Sequence, residues 1–456
     1  MSVEVVGKDL KLVSADREAY FARLLQRVNQ RVSQGDEKWE WLQELRSRAA
    51  ALASEGALPS TRDEEWRFTD VSELLRLNLQ AAEPVDVPVE SVAALSLPEA
   101  AQSRLVFVNG VFAPHLSEVA ALPAGVLAGN LLGGELPVGI EEYLGKQSGG
   151  EEVFAALNTA GLTDAAVVWV PKNVAVAAPI HLLFVGAAGA ESFIVQPRCL
   201  VVAEHGSSVT LVEHYATVGM GCPDKPAARP YFTNAVTEIW AGENAEVTHI
   251  RVQREGAEGF HVSRGAVAQA RNSRYSCYAV SLGAKLSRHN LEVFQTGEGT
   301  ETTLNGLTMI VGEQVADTHS VIALNHPHGR SRQLHKCIVD DRAHSVFNGK
   351  VFVPKAAQLT DAAQLSRNLL LSSKARVDTK PQLEITADNV KCSHGATVSQ
   401  LDAEEVFYLQ SRGLSAADAR NLLIDSFAGE VIGQIPVYSL RKMLSRCVGC
   451  RMDSWE

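Results

Sequence analysis

The sequence predicts a mainly β protein with a β-helix core between two helical regions, and three observations favour this fold class. From about Ala165 the chain is a series of short apolar runs bounded by Gly, Pro or Asn, as at 167–170, 181–185 and 199–202, which is typical of strands. Turns followed by a small residue recur through this region, and aromatic residues make up only 6% of the chain. A β-helix accounts for these features best, although a sandwich and a barrel stay open on the pattern alone.

The recurrence within the predicted core is loose. The small residues that follow a turn are Ser208, Ala245, Ser273, Ala343 and Ala375. If these positions are equivalent, the gaps between them are 37, 28, 70 and 32 residues, and Thr300 would divide the longest gap. Because the spacing is irregular, we expect stacked coils without a strict sequence repeat.

The chain divides into three predicted regions: 1–160, helical and irregular; 161–405, the β-helix core; and 406–456, helical. Residues 16–54 have apolar side chains at helical spacing, and Gly35 is expected to divide them into two helices. Prolines mark an irregular stretch after them. Within that stretch, 104–112 predicts two strands joined by an Asn-Gly turn, and beyond it 151–159 predicts a short helix.

The C-terminal region begins with a helix-start signal. Ser415 and Asp418 have the spacing of a capping box. The apolar stripe behind them consists of Leu422, Leu423, Ile424 and Phe427. Gly429 or Gly433 is expected to end this helix, and 438–444 predicts the start of another.

Composition excludes several classes of function. The 456 residues carry a formal net charge of −11, which argues against general nucleic-acid binding because that function needs a basic surface. The seven cysteines are odd in number and mostly far apart, so a secreted disulfide framework is not expected. The sequence shows neither a leader pattern nor an apolar stretch long enough to span a bilayer. The expectation is a reduced, cytoplasmic protein that does not bind membranes.

Common catalytic motifs are also missing from the sequence. It contains no Gly-x-x-x-x-Gly-Lys-Ser/Thr loop, so we expect the chain to bind no nucleotide and to hydrolyse no ATP. Neither a Gly-x-Gly-x-x-Gly fingerprint after a strand nor a Gly-x-Ser-x-Gly elbow is present. The chemistry that remains is that of thiols and imidazoles.

The densest thiol–imidazole group is Cys392-Ser-His394. In a strand both side chains would point to one face, and a thiolate beside an imidazole suits iron–sulfur, zinc or copper. A buried thiol beside a hydrogen-bonded histidine explains the same pair, and we favour that interpretation on the pair alone. An Fe–S cluster usually takes about four protein ligands, which no segment here supplies. A cluster that this chain contacts would therefore be shared with another protein.

Two other groups are weaker candidates. Cys447 and Cys450 form the only C-x-x-C pair. It suits a redox pair, half of an intermolecular metal site or a surface tail, which we favour. His326 and His328, with two more histidines nearby, have metal-ligand spacing, although the proline between them favours a solvated turn.

Several motifs follow one another along most of the chain. They are 62–70 (RDEEWRFTD), 346–353 (VFNGKVFV), 357–364 (AQLTDAAQ), 368–372 (NLLLS), 381–385 (PQLEI), 388–397 (DNVKCSHGAT) and 408–413 (YLQSRG). Together they resemble the SufB/SufD family of the SUF iron–sulfur cluster assembly system, and its SufD branch in particular. The resemblance is strongest between residues 315 and 430.

The resemblance implies a right-handed parallel β-helix and a complex with two partners, a SufB-like paralogue and a SufC-like ABC-type ATPase. ATP hydrolysis would then belong to the SufC-like partner. The C-terminal helices would contact that partner through Leu414, Leu422, Leu423 and Phe427. An edge of the β-helix would pair with the SufB-like partner, and a homodimer stays open.

The resemblance also implies a role for His394. It would help to hold a transient Fe–S cluster shared with the SufB-like partner, with Cys392 beside it as a weaker candidate. SufB-type chains have an essential cysteine about where Ser366 stands, and they have a Glu-His-Glu-Ala-Thr motif where this chain has His394-Gly-Ala-Thr. These departures favour a non-catalytic SufD-type subunit, and they assign no role to Cys447 and Cys450.

Three alternatives remain at this point. The chain could be a SufB-type scaffold paralogue. It could be a stand-alone β-helix enzyme acting on carbohydrate, which would need clustered carboxylates or basic residues on one solvent face. It could also be an architectural subunit whose partner supplies every cluster ligand.

Overall fold

The computed structural model describes residues 3–32, 39–133, 136–187, 191–218 and 229–453. The α-helices in these ranges are α1 (Val3–Val32), α2 (Glu40–Glu55), α3 (Val89–Ala93), α4 (Val153–Ala160), α5 (Ala403–Ser411), α6 (Ala416–Ile432) and α7 (Tyr438–Asp453). The strands are β1 (Gln80–Ala81), β2 (Arg104–Val108), β3 (Val111–Phe112), β4 (Leu127–Asn130), β5 (Ala166–Val170), β6 (Ile180–Gly186), β7 (Phe193–Val195), β8 (Arg198–Ala203), β9 (Ser208–Thr217), β10 (Tyr231–Ala241), β11 (Glu246–Arg254), β12 (Gly259–Gln269), β13 (Arg274–Ser281), β14 (Leu286–Gln295), β15 (Glu301–Ile310), β16 (Val315–Ala323), β17 (Arg330–Val339), β18 (His344–Val353), β19 (Asp361–Leu370), β20 (Arg376–Ile385) and β21 (Lys391–Gln400).

Successive strands alternate between two sheets, so each coil adds one strand to each sheet. Sheet A has the order β20–β18–β16–β14–β12–β10–β8–β5–β4, with β7 beside β10 and β1 beside β7, and sheet B has the order β21–β19–β17–β15–β13–β11–β9–β6–β2–β3. From β8 onward, strands two apart in sequence pair in parallel. This architecture is a β-solenoid, which confirms the predicted β-helix core with helical flanks and excludes the sandwich and the barrel.

A buried cluster of polar side chains lies between the apolar layers of the solenoid interior. Glu213 accepts hydrogen bonds from Tyr215, Thr237 (3.0 Å) and His249 (2.8 Å). Burial alone would raise the pKa of Glu213, but the hydrogen bonds from His249 and Tyr215 lower it to about 2. Burial also opposes the charge on His249, yet its hydrogen bonds with Cys277 and Glu213 raise its pKa to about 10. These groups satisfy one another, as buried polar groups must.

The N-terminal region covers one part of sheet A. Helices α1, α2 and α4 pack their apolar faces together and against strands β10 and β12. The predicted hairpin is present as the antiparallel pair β2–β3. Its turn residues Asn109 and Gly110 have φ values of 51° and 78°, which is the left-handed conformation that an Asn-Gly turn supplies. The predicted break at Gly35 lies outside the described residues, between α1 and α2.

The C-terminal helices cover the outer face of sheet B. The Ser415 hydroxyl accepts a hydrogen bond from the Asp418 backbone N–H, as the capping-box pattern predicts, and α6 ends at Gly433. Ile424 of α6 and Leu444 of α7 lie in a buried cluster with residues of β11, β13, β15 and β17. No helix within the described ranges is both long and apolar enough to span a bilayer.

The predicted recurrence combined two different registers. Ala245, Ser273 and Thr300 are aligned in sheet B, since the residues that follow them pair with one another. Ala343 and Ala375 are aligned in sheet A instead. Ser208 pairs with Glu246, so it is one residue out of step. Treating these positions as one series was therefore wrong, because consecutive turns of a solenoid serve alternate sheets.

Candidate functional site

The last coil of the solenoid leaves an open edge on both sheets. In the described part of the chain, β20 pairs with β18 alone and β21 pairs with β19 alone. The segment that carries Cys392 and His394 is the strand β21, which meets the condition under which both side chains share one face. An unpaired strand presents a row of free backbone N–H and C=O groups, which is a template for pairing with another chain.

His394 is the last member of a column that is buried in the preceding coils. It pairs with Gln364 of β19, which pairs with Gln333 of β17. The Gln364 amide donates to Gln333 Oε1 at 2.7 Å, and the Gln333 amide donates to Ser320 Oγ at 2.7 Å. Both glutamines are buried, whereas His394 is exposed. The imidazole is therefore accessible because no further coil covers it.

Cys392 lies on the same face as His394, two residues earlier. It pairs with the buried Ala362 and packs partly against the apolar interior. Burial raises the pKa of the Cys392 thiol, so the thiol form is favoured until a metal or a cation displaces the proton. The strand thus brings a half-buried thiol and an exposed imidazole together at the open edge.

Ser366 lies one coil further in. Its side chain is fully buried, and its Oγ accepts hydrogen bonds from Asn368 Nδ2 and Thr379 Oγ1, each at 3.1 Å. This hydroxyl is engaged in the interior and is not a thiol, so it supplies no soft ligand to the edge.

The open edge offers few side chains that could ligate a metal ion. Within the described residues, no three His, Cys, Asp or Glu side chains are grouped so that they could hold a metal ion. Cys392 and His394 offer one sulfur and one nitrogen donor, and an Fe–S cluster usually takes about four ligands. The chemistry that this pair supports is therefore partial ligation.

The other histidines near this sequence region do not converge. His326 and His328 are exposed in a turn, and His328 has a φ of 62°, so the predicted solvated turn is confirmed. His319 is held between two carboxylates at 2.9 and 3.0 Å. His335 stacks on Phe347 with ring centroids 4.5 Å apart. These histidines are structural in the described fold.

The motif at residues 62–70 contacts strands of sheet A, which the sequence did not predict. The turn Glu64–Trp66 crosses the outer face of sheet A near the open end. Glu64 meets Lys380 of β20 at 2.5 Å, and Glu65 meets His319 of β16 at 3.0 Å. The tryptophan ring lies 3.9 Å from the guanidinium carbon of an arginine on β14. This segment therefore ties the N-terminal region to the last coils.

A second exposed surface lies on the C-terminal helices. Leu422 is 48% exposed and Leu414 and Leu423 are half-buried. Phe407 and Tyr408 on α5 are 71% and 61% exposed. None of the residues of α5 is buried. The sequence interpretation did not include the two aromatic residues, although their position in the helical region would have allowed it.

Phe427 faces the solenoid. Its ring lies 4.0 Å from the Lys336 ammonium, and its carbonyl accepts a hydrogen bond from that ammonium at 2.9 Å. Glu430, one turn later, pairs with Lys336 and with Arg367 of β19 at 3.0 Å. This end of α6 is therefore fastened to the strands that precede the open edge.

Cys447 and Cys450 lie in α7. Cys447 is buried in the cluster between the helix and sheet B, and Cys450 is half-buried. The interpretation of this pair as a surface tail was wrong, because the apolar face of α7 packs on the solenoid. The pair has no assigned role.

Comparison with known proteins places the chain in a family. The sequence model for the "SUF system FeS cluster assembly, SufBD core domain" matches residues 184–427, and that for the "SufBD protein N-terminal region" matches residues 15–182. The chain belongs to the SufBD family of iron–sulfur cluster assembly proteins.

Its relatives include proteins of the SufD type. An iron–sulfur cluster assembly SufBD family protein of Synechocystis is 55% identical over 89% of this chain and 90% of its own length. The chloroplastic protein ABCI7 of Arabidopsis thaliana is 39% identical over 88% and 84%. The iron–sulfur cluster assembly protein SufD of Escherichia coli is 32% identical over 87% and 89%. The chain is thus a SufD-like member of its family.

Proposed function

We propose that this chain is a non-catalytic, SufD-type subunit of a SufB–SufC–SufD scaffold. In that scaffold it helps to assemble and transfer nascent Fe–S clusters at its interface with the SufB-like subunit. The observation that carries the proposal is the exposed His394 at the end of a buried column on an open edge strand. Its neutral imidazole would supply one ligand to a cluster whose other ligands come from the partner.

Cys392 is the weaker ligand candidate in this proposal. Its raised pKa means that it contributes mainly once a soft metal replaces its proton. Among the six cysteines that the structure describes, no disulfide is present. The proposal assumes a reducing, cytoplasmic compartment, in which thiols stay free.

The ATPase partner would dock on the C-terminal helices. Leu414, Leu422 and Leu423 present apolar surface there, and Phe407 and Tyr408 extend it. An exposed apolar patch with aromatic residues is typical of protein interfaces. Phe427, which we predict as part of the same site, would act mainly by holding α6 on the solenoid. ATP binding and hydrolysis would belong to the partner.

The buried Ser366 supports a SufD-type role over that of a SufB-type scaffold. A serine at this position supplies no thiolate for sulfur or metal transfer. Membership of the SufBD family argues against the alternative hypothesis of a carbohydrate-active enzyme. An architectural subunit without any cluster ligand is the remaining alternative, and the experiment below separates it from the proposal.

The test is cluster reconstitution in the complex of the full-length chain with its SufB-type and SufC-type partners. His394→Gln is the main variant, because the column already has glutamine at the same register in β17 and β19 and the fold should persist. We expect a lower cluster yield and a changed absorption spectrum. His326→Ala, in an exposed turn away from β21, is the matched control and should behave like wild type.

The two interpretations predict different outcomes. An intact complex with an unchanged cluster yield in the double variant Cys392→Ser/His394→Gln would show an architectural role and overturn the ligand assignment. A complex that no longer forms in His394→Gln would show that the residue acts in assembly of the interface.

A further inference from the structure

The segment of residues 61–69, which we call the strap, is joined to sheet A through a histidine that faces two carboxylates. His319 of β16 has its Nδ1 at 3.0 Å from Oε2 of Glu65 in the strap, and its Nε2 at 2.9 Å from Oδ1 of Asp317 on its own strand. A neutral imidazole has one N–H and one lone pair. Only the protonated ring can therefore present an N–H to both carboxylates.

The surroundings of His319 favour this charged form. Burial opposes the charge, but the negative charge of Asp317 and the hydrogen bonds with Asp317 and Glu65 raise the pKa of His319 above its ordinary value of 6.5, against a smaller opposing effect of Arg288. Charged groups of both signs line the cavities around the ring: Arg62, Glu64 and Arg67 in the strap, Glu152 before α4, Arg288 and Glu292 on β14, Lys350 on β18, and Asp378 and Lys380 on β20. The two carboxylates in contact with the ring therefore dominate its protonation.

The two carboxylates differ in how they are held. Asp317 is buried, and it also accepts hydrogen bonds from Arg288 Nη1 and Thr69 Oγ1, each at 2.5 Å. The Glu65 side chain is 64% exposed, and His319 holds its carboxylate. Loss of the proton would set a lone pair of the ring against one of these carboxylates. Because Asp317 is fixed in the interior, Glu65 is the one that can move away.

Glu65 lies between two cavities on the outer face of sheet A. One cavity, of about 590 Å³, lies between the strap and strands β16, β18 and β20, and the other, of about 360 Å³, extends to β14 beside Trp66. Trp66 and Thr69 are buried and fix one end of the strap, whereas residues 61–65 are exposed. This exposed part can therefore move without disturbing the apolar core.

We propose that His319 is a pH-dependent latch that holds residues 61–65 closed over the two cavities. While the imidazole is protonated, it joins Glu65 to Asp317. When the proton is lost as pH rises, the remaining N–H stays with the buried Asp317, Glu65 moves into solvent, and the two cavities form one open groove. The latch is fully closed below about pH 6.5 and opens as pH rises through the higher pKa of the folded protein.

Hydrogen exchange of the full-length chain tests the latch. The backbone N–H groups of Asp63 and Trp66 donate to the carbonyl oxygens of Ser60 and Asp63 within this segment. Their protection factors, which correct for the pH dependence of the intrinsic exchange rate, report its opening. Between about pH 5.5 and pH 9.5 we expect wild-type protection to fall about three- to tenfold in a one-proton step, because a hydrogen bond between charged groups is lost. The midpoint should lie above about 6.5.

Two variants should remove the step in different ways. His319→Gln lacks the titrating ring and should give low protection at every pH. Glu65→Gln leaves Asp317 and the ring in place, and its amide can either accept from the charged ring or donate to the neutral one, so the step should nearly vanish. This second variant tests the latch even if His319→Gln does not fold.

Two further variants are controls. Lys380→Gln removes the exposed pair with Glu64 (2.5 Å), which also tethers the strap. It should lower protection by the same factor at every pH and keep the step. His326→Gln loses an imidazole in an exposed turn and should behave like wild type.

Three results would overturn the proposal. The first is a wild-type segment without a step in this pH range. The second is a step of full size in either folded variant, His319→Gln or Glu65→Gln. The third is an equal fall in the protection of the interior strand β12, which would mean that the whole fold, and not the strap, loses stability as pH rises.

Discussion

His335 and His394 lie on inward-facing positions of sheet B, on strands two coils apart. His335 is buried, stacked on Phe347, and burial lowers its pKa to about 3. Within the described residues no coil follows the strand of His394, and its side chain is exposed. The comparison teaches that the next coil decides the role of an interior histidine. An imidazole that a further coil covers is buried and packs against its neighbours. An imidazole that no coil covers is available to a partner or a metal.

The same contrast between a covered face and an open face occurs on α6, and it yields the largest predicted effect. Ile424 is fully buried against sheet B, and Leu422 is 48% exposed. Ile424→Ala should lower the free energy of unfolding in urea by about 2–4 kcal/mol through lost burial and a cavity. Leu422→Ala should change it by less than about 0.5 kcal/mol, yet weaken binding of the SufC-type ATPase. Equal stability losses in the two variants would contradict the assignment of a buried face and an exposed face to α6.

Two glycines compare an interior position of a middle coil with an outer position of the last coil. A Cβ at Gly306 would lie 2.2 Å from Nδ1 of the buried His335, whereas a Cβ at Gly395 of β21 would meet only Leu365 at 3.5 Å. Gly306→Ala should cost about 1–3 kcal/mol by overpacking. Gly395→Ala should be neutral within about 0.5 kcal/mol. The measurement is chemical denaturation of both variants, and a large loss from Gly395→Ala alone would reverse the comparison.

The buried histidines of the interior coils also predict that the free energy of unfolding depends on pH. Burial lowers the pKa of His335 and of His214 to about 3, while an unfolded histidine titrates near 6.5. Between these values only the unfolded chain binds the proton, so each histidine lowers stability as pH falls from about 6.5 to about 3. The slope is at most about 1.4 kcal/mol per pH unit for each group.

The variant His335→Gln should lose less stability per pH unit than wild type on acidification, and the difference should equal the contribution of one histidine. The measurement is the urea midpoint at several pH values between 7 and 4. Above about pH 6.5, wild type and variant should show parallel curves, which serves as the internal control. An unchanged slope in the variant would mean that His335 is protonated in the folded protein.

Local chemistry made part of this structure predictable. The Asn109-Gly110 turn and the Ser415 cap depend on a few adjacent residues, and both are confirmed. The predicted β-helix core, residues 161–405, included Cys392 and His394, and the shared face of the two side chains followed from the condition that their segment is a strand. The motif resemblance, rather than periodicity, indicated that this strand matters, because the sequence pattern does not reveal which coil is the last.

Contacts between distant segments could not be predicted. The prediction that the small residues share one register was wrong, because alternate turns belong to different sheets. The burial of Cys447 depends on the docking of α7 on sheet B, and the crossing of Glu64–Trp66 over β20 and β16 joins residues more than 250 positions apart. Such contacts arise from tertiary packing, for which a single sequence carries no local signal.

The central claim is that a partner completes the last coil at β21. Hydrogen exchange of the β21 amides, with and without the SufB-type paralogue, tests it most directly, with the interior strand β17 as the reference. The account predicts that exchange from Lys391–Gln400 slows by at least an order of magnitude on complex formation, toward the protection of β17, as free edge amides become paired. A stable complex in which β21 exchanges as fast as in the free chain would contradict it.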